Sequence, residues 1–203
     1  GNLPKIDLLI LTHGHSDHLG DAMELSNKNN VPVAAIHEIS LFLSKQGINN
    51  IGVNIGGSFI YRGVKFTMLD AKHSSVLEIV EEPPPAGDAA SFLIPLEDGA
   101  KLFHAGDTGL FGDMKTIIGE IYKPDIALLP IGDKFTMGPF EAALATRWID
   151  SKVAIPMHYN TFPPIEQDPS IYANFVSQLN PNIDVVILNP GEYFEYNPEN
   201  YQD

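Results

Sequence analysis

The chain predicts an α/β fold on three observations: short apolar runs with strand character, amphipathic segments of helical length between them, and metal-ligand residue types gathered where the runs end. Its 203 residues suffice to bury one sizeable core, and no linker-like tract divides them. A single domain over 1–203 is therefore expected, with no internal repeat.

Ile6-Asp7-Leu8-Leu9-Ile10-Leu11 opens the order as a buried strand, since continuous apolar character suits a sheet covered on both faces. A helix is expected near 21–29, a strand at 31–36 and a helix at 38–46. Strands follow at 57–62, 64–69, 90–96 and 101–105, with Asp98-Gly99 supplying a hairpin turn. The later half alternates helix 114–122, strand 126–130, helix 139–150, strand 152–156 and helix 170–179, then strands 184–188 and 192–196. Glu81-Glu82-Pro83-Pro84-Pro85-Ala86-Gly87-Asp88 is a loop, because proline removes donors and fixes the backbone. Beginning soon after His73, it reads equally as a flap over a site or as a solvated connector.

Directly after the first strand stands His13-Gly14-His15-Ser16-Asp17-His18, which packs four potential metal ligands into six residues. On still-extended backbone, residues two apart point to the same side, so His13 and His15 can chelate one ion. One turn onward, Asp17 and His18 can face a second. Imidazole and carboxylate suit zinc and similar first-row ions, and two such ions about 3.5–4 Å apart form a hydrolytic centre. A helix cap needs one oxygen acceptor and gains nothing from three imidazoles. Six residues do not close two coordination spheres, so further ligands must come from later strand ends.

Three residues answer that demand. His73 follows the strand Val64–Leu69; Asp107 follows Lys101–Ala105 in the glycine-flanked His104-Ala105-Gly106-Asp107-Thr108-Gly109; His158 follows Val153–Met157. Taken singly, each is ordinary turn chemistry. Four separated strand ends each delivering a ligand type is what a site on an α/β scaffold requires. The candidate metal set is His13, His15, Asp17, His18, His73, Asp107 and His158.

The order H-x-H-x-D-H followed by a distant His, Asp and His resembles the metallo-β-lactamase superfamily over residues 6–190. The segments Phe135-Thr136-Met137-Gly138-Pro139 and Pro156–Pro163, with Ala105–Met114, resemble a small prokaryotic branch of metal-dependent hydrolases similar to the ascorbate-phosphate lactonases. The resemblance implies an αββα four-layer sandwich, two mixed sheets flanked by helices, with the site along one sheet edge. It also implies that His13, His15 and His73 hold a first metal, that Asp17, His18 and His158 hold a second, and that Asp107 bridges them. Superfamily members begin with further strands, whereas this chain opens at Gly1-Asn2-Leu3-Pro4 and reaches the motif almost at once. N-terminal strands are thus expected to be missing, lost or supplied by another fragment.

The expected chemistry follows from the metals. Two divalent ions, zinc before manganese, nickel or iron, would share a water and lower its pKa toward neutrality, giving a bridging hydroxide that attacks a carbonyl or phosphoryl centre. Asp17 and Asp107 are the candidate catalytic residues, Asp17 as acid/base. Thr12, Ser74, Thr108 and Asp133 lie in loops suited to orienting the imidazoles. Asn160 and Thr161, next to His158, and Asp133 are the candidate substrate contacts. His37, at a helix start, and His104, inside a strand, are left out of the metal set.

Charge and composition bound the partners. A formal charge of −14 without a basic stripe argues against nucleic acid. Two dications would make the pocket locally positive, so a small anionic ester, lactone or phosphodiester is the expected substrate. Zero cysteines exclude disulfides and thiolate ligands, and no 18-residue apolar stretch, signal peptide or lipidation motif is found. A cytoplasmic enzyme with no membrane partner is expected, and a homo-oligomer is compatible with the sequence. The runner-up is a phosphodiesterase or nuclease, which the resemblance would pair with a large inserted domain and a basic surface. A di-iron redox module would place Glu where His15 stands. A non-catalytic relative would keep the metals for structure alone.

Overall fold

A strand buried on both faces must be apolar throughout, and Val33–Ile36 (β2) meets that condition with all four residues buried. In the computed structural model, which describes residues 5–201, β2 is the middle of a three-stranded parallel sheet between β1 (Leu9–Ile10) and β3 (Asn50–Val53). Helices α1 (Ser16–Leu19), α2 (Ala22–Asn29) and α3 (His37–Lys45) belong to this half. Helix α3 buries Ile39, Ser40 and Leu43 on one face and packs on β2 and β3. Strand β1 is shorter than the apolar run 6–11; among the described residues it pairs with β2 alone, and Leu9 N–H donates to the Pro32 carbonyl and Leu11 N–H to the Ala34 carbonyl. The opening Gly1–Pro4 lies outside the described residues.

The larger sheet has seven strands in the order β10-β9-β8-β7-β6-β5-β4. They are β4 (Ser58–Tyr61), β5 (Val64–Asp70), β6 (Ala90–Pro95), β7 (Lys101–His104), β8 (Ile126–Pro130), β9 (Val153–Met157) and β10 (Asp184–Val185). Strands β4 to β7 pair antiparallel and β7 to β10 parallel, so this sheet is mixed. The smaller sheet is parallel throughout its described residues. The Asp98-Gly99 turn joins β6 to β7: Gly99 takes φ +89° and the Asp98 carboxylate accepts from Ala100 N–H.

Strand alternation divides the apolar residues of the larger sheet between two clusters. Met68 and Phe92, paired across β5 and β6, join Leu11, Val33, Ile39 and Leu43 in a cluster that ties the two sheets together. Their neighbours Leu69 and Leu93 join Phe103, Leu129, Met114 and Ala142 in a second cluster on the other face. That face is covered by the helical segment Met114–Tyr122, by α4 (Pro139–Ile149) and by α5 (Pro169–Leu179). Both α4 and α5 begin on proline at the first turn, and the Asp168 carboxylate caps α5 by accepting from Ser170 N–H at 2.9 Å. The layers run helices, sheet, sheet, helices. No helix among the described residues is long and apolar enough to cross a membrane.

Four departures from the sequence expectations have physical causes or consequences. Strand β3 went unexpected because Asn50-Ile51-Gly52-Val53 lacks alternation; Gly52 is needed there, since a Cβ would come 2.7 Å from Ser40 Oγ on α3. The expected strand at 192–196 is absent: the period-two pattern is real, but Phe194 and Tyr196 turn their half-buried rings toward Leu102, Ile126 and Ile155 without pairing. The segment Met114–Tyr122 winds as a π-helix, with Lys123 N–H reaching the Ile118 carbonyl. The 81–88 loop is neither a free connector nor a flap over open space. It pairs back through Leu77 N–H to the Pro84 carbonyl and Ala86 N–H to the Ser75 carbonyl, and Ala86 is wholly buried.

Gly119 sets the approach of the π-helical segment to α4, because a Cβ there would lie 2.3 Å from the Trp148 carbonyl oxygen. Gly119→Ala should therefore destabilise by about 1–3 kcal/mol through forced backbone shifts. Gly112→Ala, which meets open space, should stay within roughly 0.5 kcal/mol of the parent. Urea denaturation of the two variants checks the difference, and equal midpoints would contradict it.

Candidate metal centre

Topology brings the four ligand-bearing segments to one edge. Strands β5 and β7 are each antiparallel to β6 and so run together, and β7, β8 and β9 are parallel, so the C-terminal ends of β5, β7 and β9 open on the same side. His73, Asp107 and His158 follow those three ends, and the histidine motif follows β1. Ligands outside the carboxyl ends of strands are the general habit of α/β sheets.

Close packing fixes each loop. A Cβ on Gly14 would stand 2.6 Å from the Val76 carbonyl oxygen and 2.8 Å from Ala86, so the motif presses directly on the loop beneath it. Gly14 N–H donates to Ser75 Oγ, and the Glu78 carboxylate accepts from both Ser16 N–H at 3.0 Å and Ser16 Oγ at 2.9 Å. Gly106 adopts φ +62° with no room for a side chain beside Ala90, which turns the backbone to present Asp107. His158 itself takes φ +55°, a left-handed conformation uncommon outside glycine, and a Cβ on Gly132 would reach within 2.5 Å of its carbonyl oxygen. Thr12 Oγ1 lies 3.0 Å from His13 Nδ1 and fixes that ring, leaving Nε2 toward the centre.

All seven candidate ligands converge. His13 Nε2 is 3.0 Å from His15 Nδ1, which is 3.3 Å from His73 Nε2. Asp17 Oδ2 is 3.3 Å from His18 Nε2 and 3.5 Å from His158 Nε2. Asp107 Oδ2 stands between these groups, 3.4 Å from His18 Nε2, 3.2 Å from His158 Nε2 and 3.7 Å from His73 Nε2. A tetrahedral ion with bonds of about 2.0–2.1 Å sets its donors roughly 3.3 Å apart, which is the spacing found. Three groups of donors meet within 4.8 Å: His13, His15 and His73; His13, His18 and Asp107; Asp17, His18 and His158. His18 Nε2 and Asp107 Oδ1 are buried without a hydrogen-bond partner, and an all-nitrogen and oxygen donor set of this kind fits a first-row divalent ion.

The charges of the cluster oppose one another. Burial first, then the charge of His18, pushes the His13 imidazole down to about 3 against the pull of Asp107. Burial likewise lowers His73 and His104. For His18 burial acts downward, but the Asp107 and Asp17 carboxylates outweigh it and the net shift is upward. For Asp107 burial acts upward, yet His18, His158 and His13 hold its carboxyl below the usual range. His104 accepts the Gly106 N–H on Nδ1 at 3.1 Å, so it braces the turn that carries Asp107.

A cavity of about 490 Å³ opens over the cluster, lined besides the ligands by Ser16, Ser74, Glu78, Phe135 and Phe162. Of the residues expected to orient imidazoles, Thr12 does so, and Ser74 Oγ lies 3.4 Å from His15 Nε2. Thr108 instead ties loops together, accepting from Lys72 N–H and donating to the Gly109 carbonyl. Asp133, expected at the substrate, takes φ +68° in a turn closed by its N–H to the Met137 carbonyl and by Thr136 N–H to its own carbonyl. Asn160 accepts from Gln167 N–H and faces a neighbouring groove with Glu166 and Asp168. Neither Asp133 nor Asn160 lines the metal cavity, and Thr161 is exposed beside it in sequence without lining it. The aromatic residues Phe135 and Phe162 hold that position. Both lie in segments that carry the resemblance to the hydrolase branch, Phe135–Pro139 and Pro156–Pro163, but nothing in the sequence assigns either ring a role at the site.

Comparison with known proteins places this site in a family. A model described as the beta-lactamase superfamily domain matches residues 1–159. The chain belongs to the beta-lactamase superfamily. It is 96% identical over 197 residues to a metal-dependent hydrolase of Methanobrevibacter smithii, covering 97% of this chain and 82% of that protein. A metal-dependent hydrolase of Methanosphaera stadtmanae is 54% identical, covering 92% of this chain and 80% of the relative. Among solved structures, Igni18, a metallo hydrolase from Ignicoccus hospitalis, superposes with a TM-score of 0.83 at 40% identity over 95% of this chain and 81% of that one.

The depressed imidazoles set the acid behaviour of the metal-free protein. Folded His13 refuses a proton that its unfolded form accepts near 6.5, so stability falls as pH drops from 6.5 toward 3. His73 and His104 act in the same direction, whereas raised His18 adds stability below 6.5 that is lost as pH climbs through its higher value. The net expectation is a loss of roughly 1–2 kcal/mol between pH 7.5 and 5. Urea unfolding of chelator-treated protein at the two values measures it, and an equal or higher midpoint at pH 5 would contradict it.

Proposed function

We propose that the chain is a dinuclear metal-dependent hydrolase that cleaves a small ester, lactone or phosphodiester. His13, His15 and His73 would hold one ion; Asp17, His18 and His158 a second; Asp107 would bridge them. The observation that carries this reading is the position of Asp107 Oδ2, within 3.7 Å of imidazole nitrogens drawn from both groups. Zinc suits the donor set best, with manganese, nickel or iron as alternatives.

Bound divalent ions would supply Lewis-acid polarisation of the substrate oxygen and lower the pKa of a water. The chain's residues do the rest. Thr12 orients His13, and Gly14, Gly106 and Gly132 let the backbone come close enough to hold the ring of ligands rigid. Asp17, with a side chain more than half exposed on the cavity side, would hold the ion through Oδ2, take a proton on its other carboxylate oxygen and return it to the leaving group. No serine or cysteine nucleophile is required, and the chain has no cysteine.

Purified protein loaded with zinc or manganese should turn over members of a panel of lactones, esters and phosphodiesters, and chelation should remove that activity reversibly. Asp17→Asn should lower kcat by about 100-fold or more while metal content is reduced less. Asp107→Ala should lower metal content and rate together. A metal-replete protein inert toward the whole panel would refute the hydrolase reading, and an Asp107→Ala variant that loses fold but no rate would favour a structural metal role.

A further inference from the structure

The wall of the cavity beyond the ligands carries a preference of its own. Phe135 and Phe162 line it from different loops with ring centroids 6.3 Å apart, and they remain 48% and 40% exposed. Large apolar side chains left this open at a site mouth mark a contact surface more often than chance exposure. Both rings stand on hydrogen-bonded turns. Lys134 N–H reaches the Gly132 carbonyl and Thr136 N–H the Asp133 carbonyl on either side of Phe135, while Ile165 N–H reaches the Phe162 carbonyl and buried Ile165 anchors that turn. The wall is therefore preformed, immediately beyond the residues that seat His158.

The remaining lining is polar and acidic. Among the described residues Glu78 is the one charged residue lining the cavity outside the seven candidate ligands, and its Oε2 accepts from Ser16 N–H and Oγ, which lowers its pKa. Among the described residues no lysine or arginine lines the cavity. Lys134 stands over the Phe135 ring, 5.5 Å from its centroid, and is not part of the lining. An anionic substituent away from the reacting centre would meet Glu78 with no cation in the described lining, since the divalent ions would act at their donors and Lys134 stands behind the Phe135 ring, while a planar apolar one would meet two aromatic rings.

We infer that the substrate is an ester or lactone bearing a planar apolar group that packs on Phe135 and Phe162, and that compact substrates with a second anionic group are selected against. This rests on the hydrolase reading above and names the substrate class for that same centre. Offset or edge contact with two rings should raise affinity about tenfold over a methyl group.

Affinity of zinc-loaded protein is measured by calorimetry for three hydroxamates that share one metal-binding head: acetohydroxamate, phenylacetohydroxamate and succinate monohydroxamate. The phenyl compound should bind about tenfold tighter than the methyl one, and the carboxylate compound weaker than either. In Phe135→Ala/Phe162→Ala the phenyl preference should collapse toward unity, Phe135→Tyr/Phe162→Tyr should retain most of it, and Glu78→Gln should recover succinate monohydroxamate binding. γ-Phenyl-γ-butyrolactone against γ-methyl-γ-butyrolactone, followed by acid release, extends the same comparison to turnover. Equal affinities for the phenyl and methyl compounds, or a phenyl preference that survives removal of both rings, overturns the inference and leaves the hydrolase reading standing. Failure of all three hydroxamates to bind metal-loaded protein overturns the hydrolase reading itself, and this inference with it.

Discussion

The structure depends on holding five imidazoles and two carboxylates in mutual contact at one sheet edge. Such a cluster opposes folding. Burial disfavours protonated His13, His73 and His104, and unpartnered polar atoms at His18 and Asp107 carry a desolvation cost. Rigid strand ends and glycines without room for a Cβ confine the donors regardless. The local conformation of His158, at φ +55°, belongs to the same constraint. An ion at the centre would offset those costs, since its affinity for the folded state adds directly to stability.

Much of this was legible in the sequence. The H-x-H-x-D-H run and the three later ligands were readable because few structural needs place so many ligand types at strand ends. The Asp98-Gly99 turn and the proline-started helices α4 and α5 were readable because their chemistry is local. What stayed hidden is tertiary. Strand β3 is defined by its partner β2 and not by any alternation of its own. The 192–196 segment shows the period of a strand because one side rests on the sheet, which needs no pairing. Asp133 and Asn160 looked like site residues by proximity, yet both are consumed by turns, and those turns present Phe135 and Phe162 instead. A single exposed phenylalanine has no sequence signature; only the cavity reveals it.

Charge and site fit together once their scales are separated. The surplus of acidic residues, a formal charge of −14, acts at long range. Inside the cavity the short-range balance differs, with imidazoles and two carboxylates at the floor and aromatic rings at the wall. In the proposed reading the floor hydrolyses a polar bond, and the wall takes the apolar remainder of the molecule that carries it. Fold class and superfamily leave that second property open, because it is written on loops.

The central claim is that the donors enclose a pair of ions sharing Asp107. X-ray absorption at the metal edge of zinc-loaded protein tests it most directly. Two ions held as proposed would give nitrogen and oxygen neighbours at about 2.0–2.1 Å with several imidazoles, plus a metal–metal distance of about 3.5–4 Å. Spectra with no metal–metal scattering at full loading, or imidazole counts too low for both groups, would contradict it.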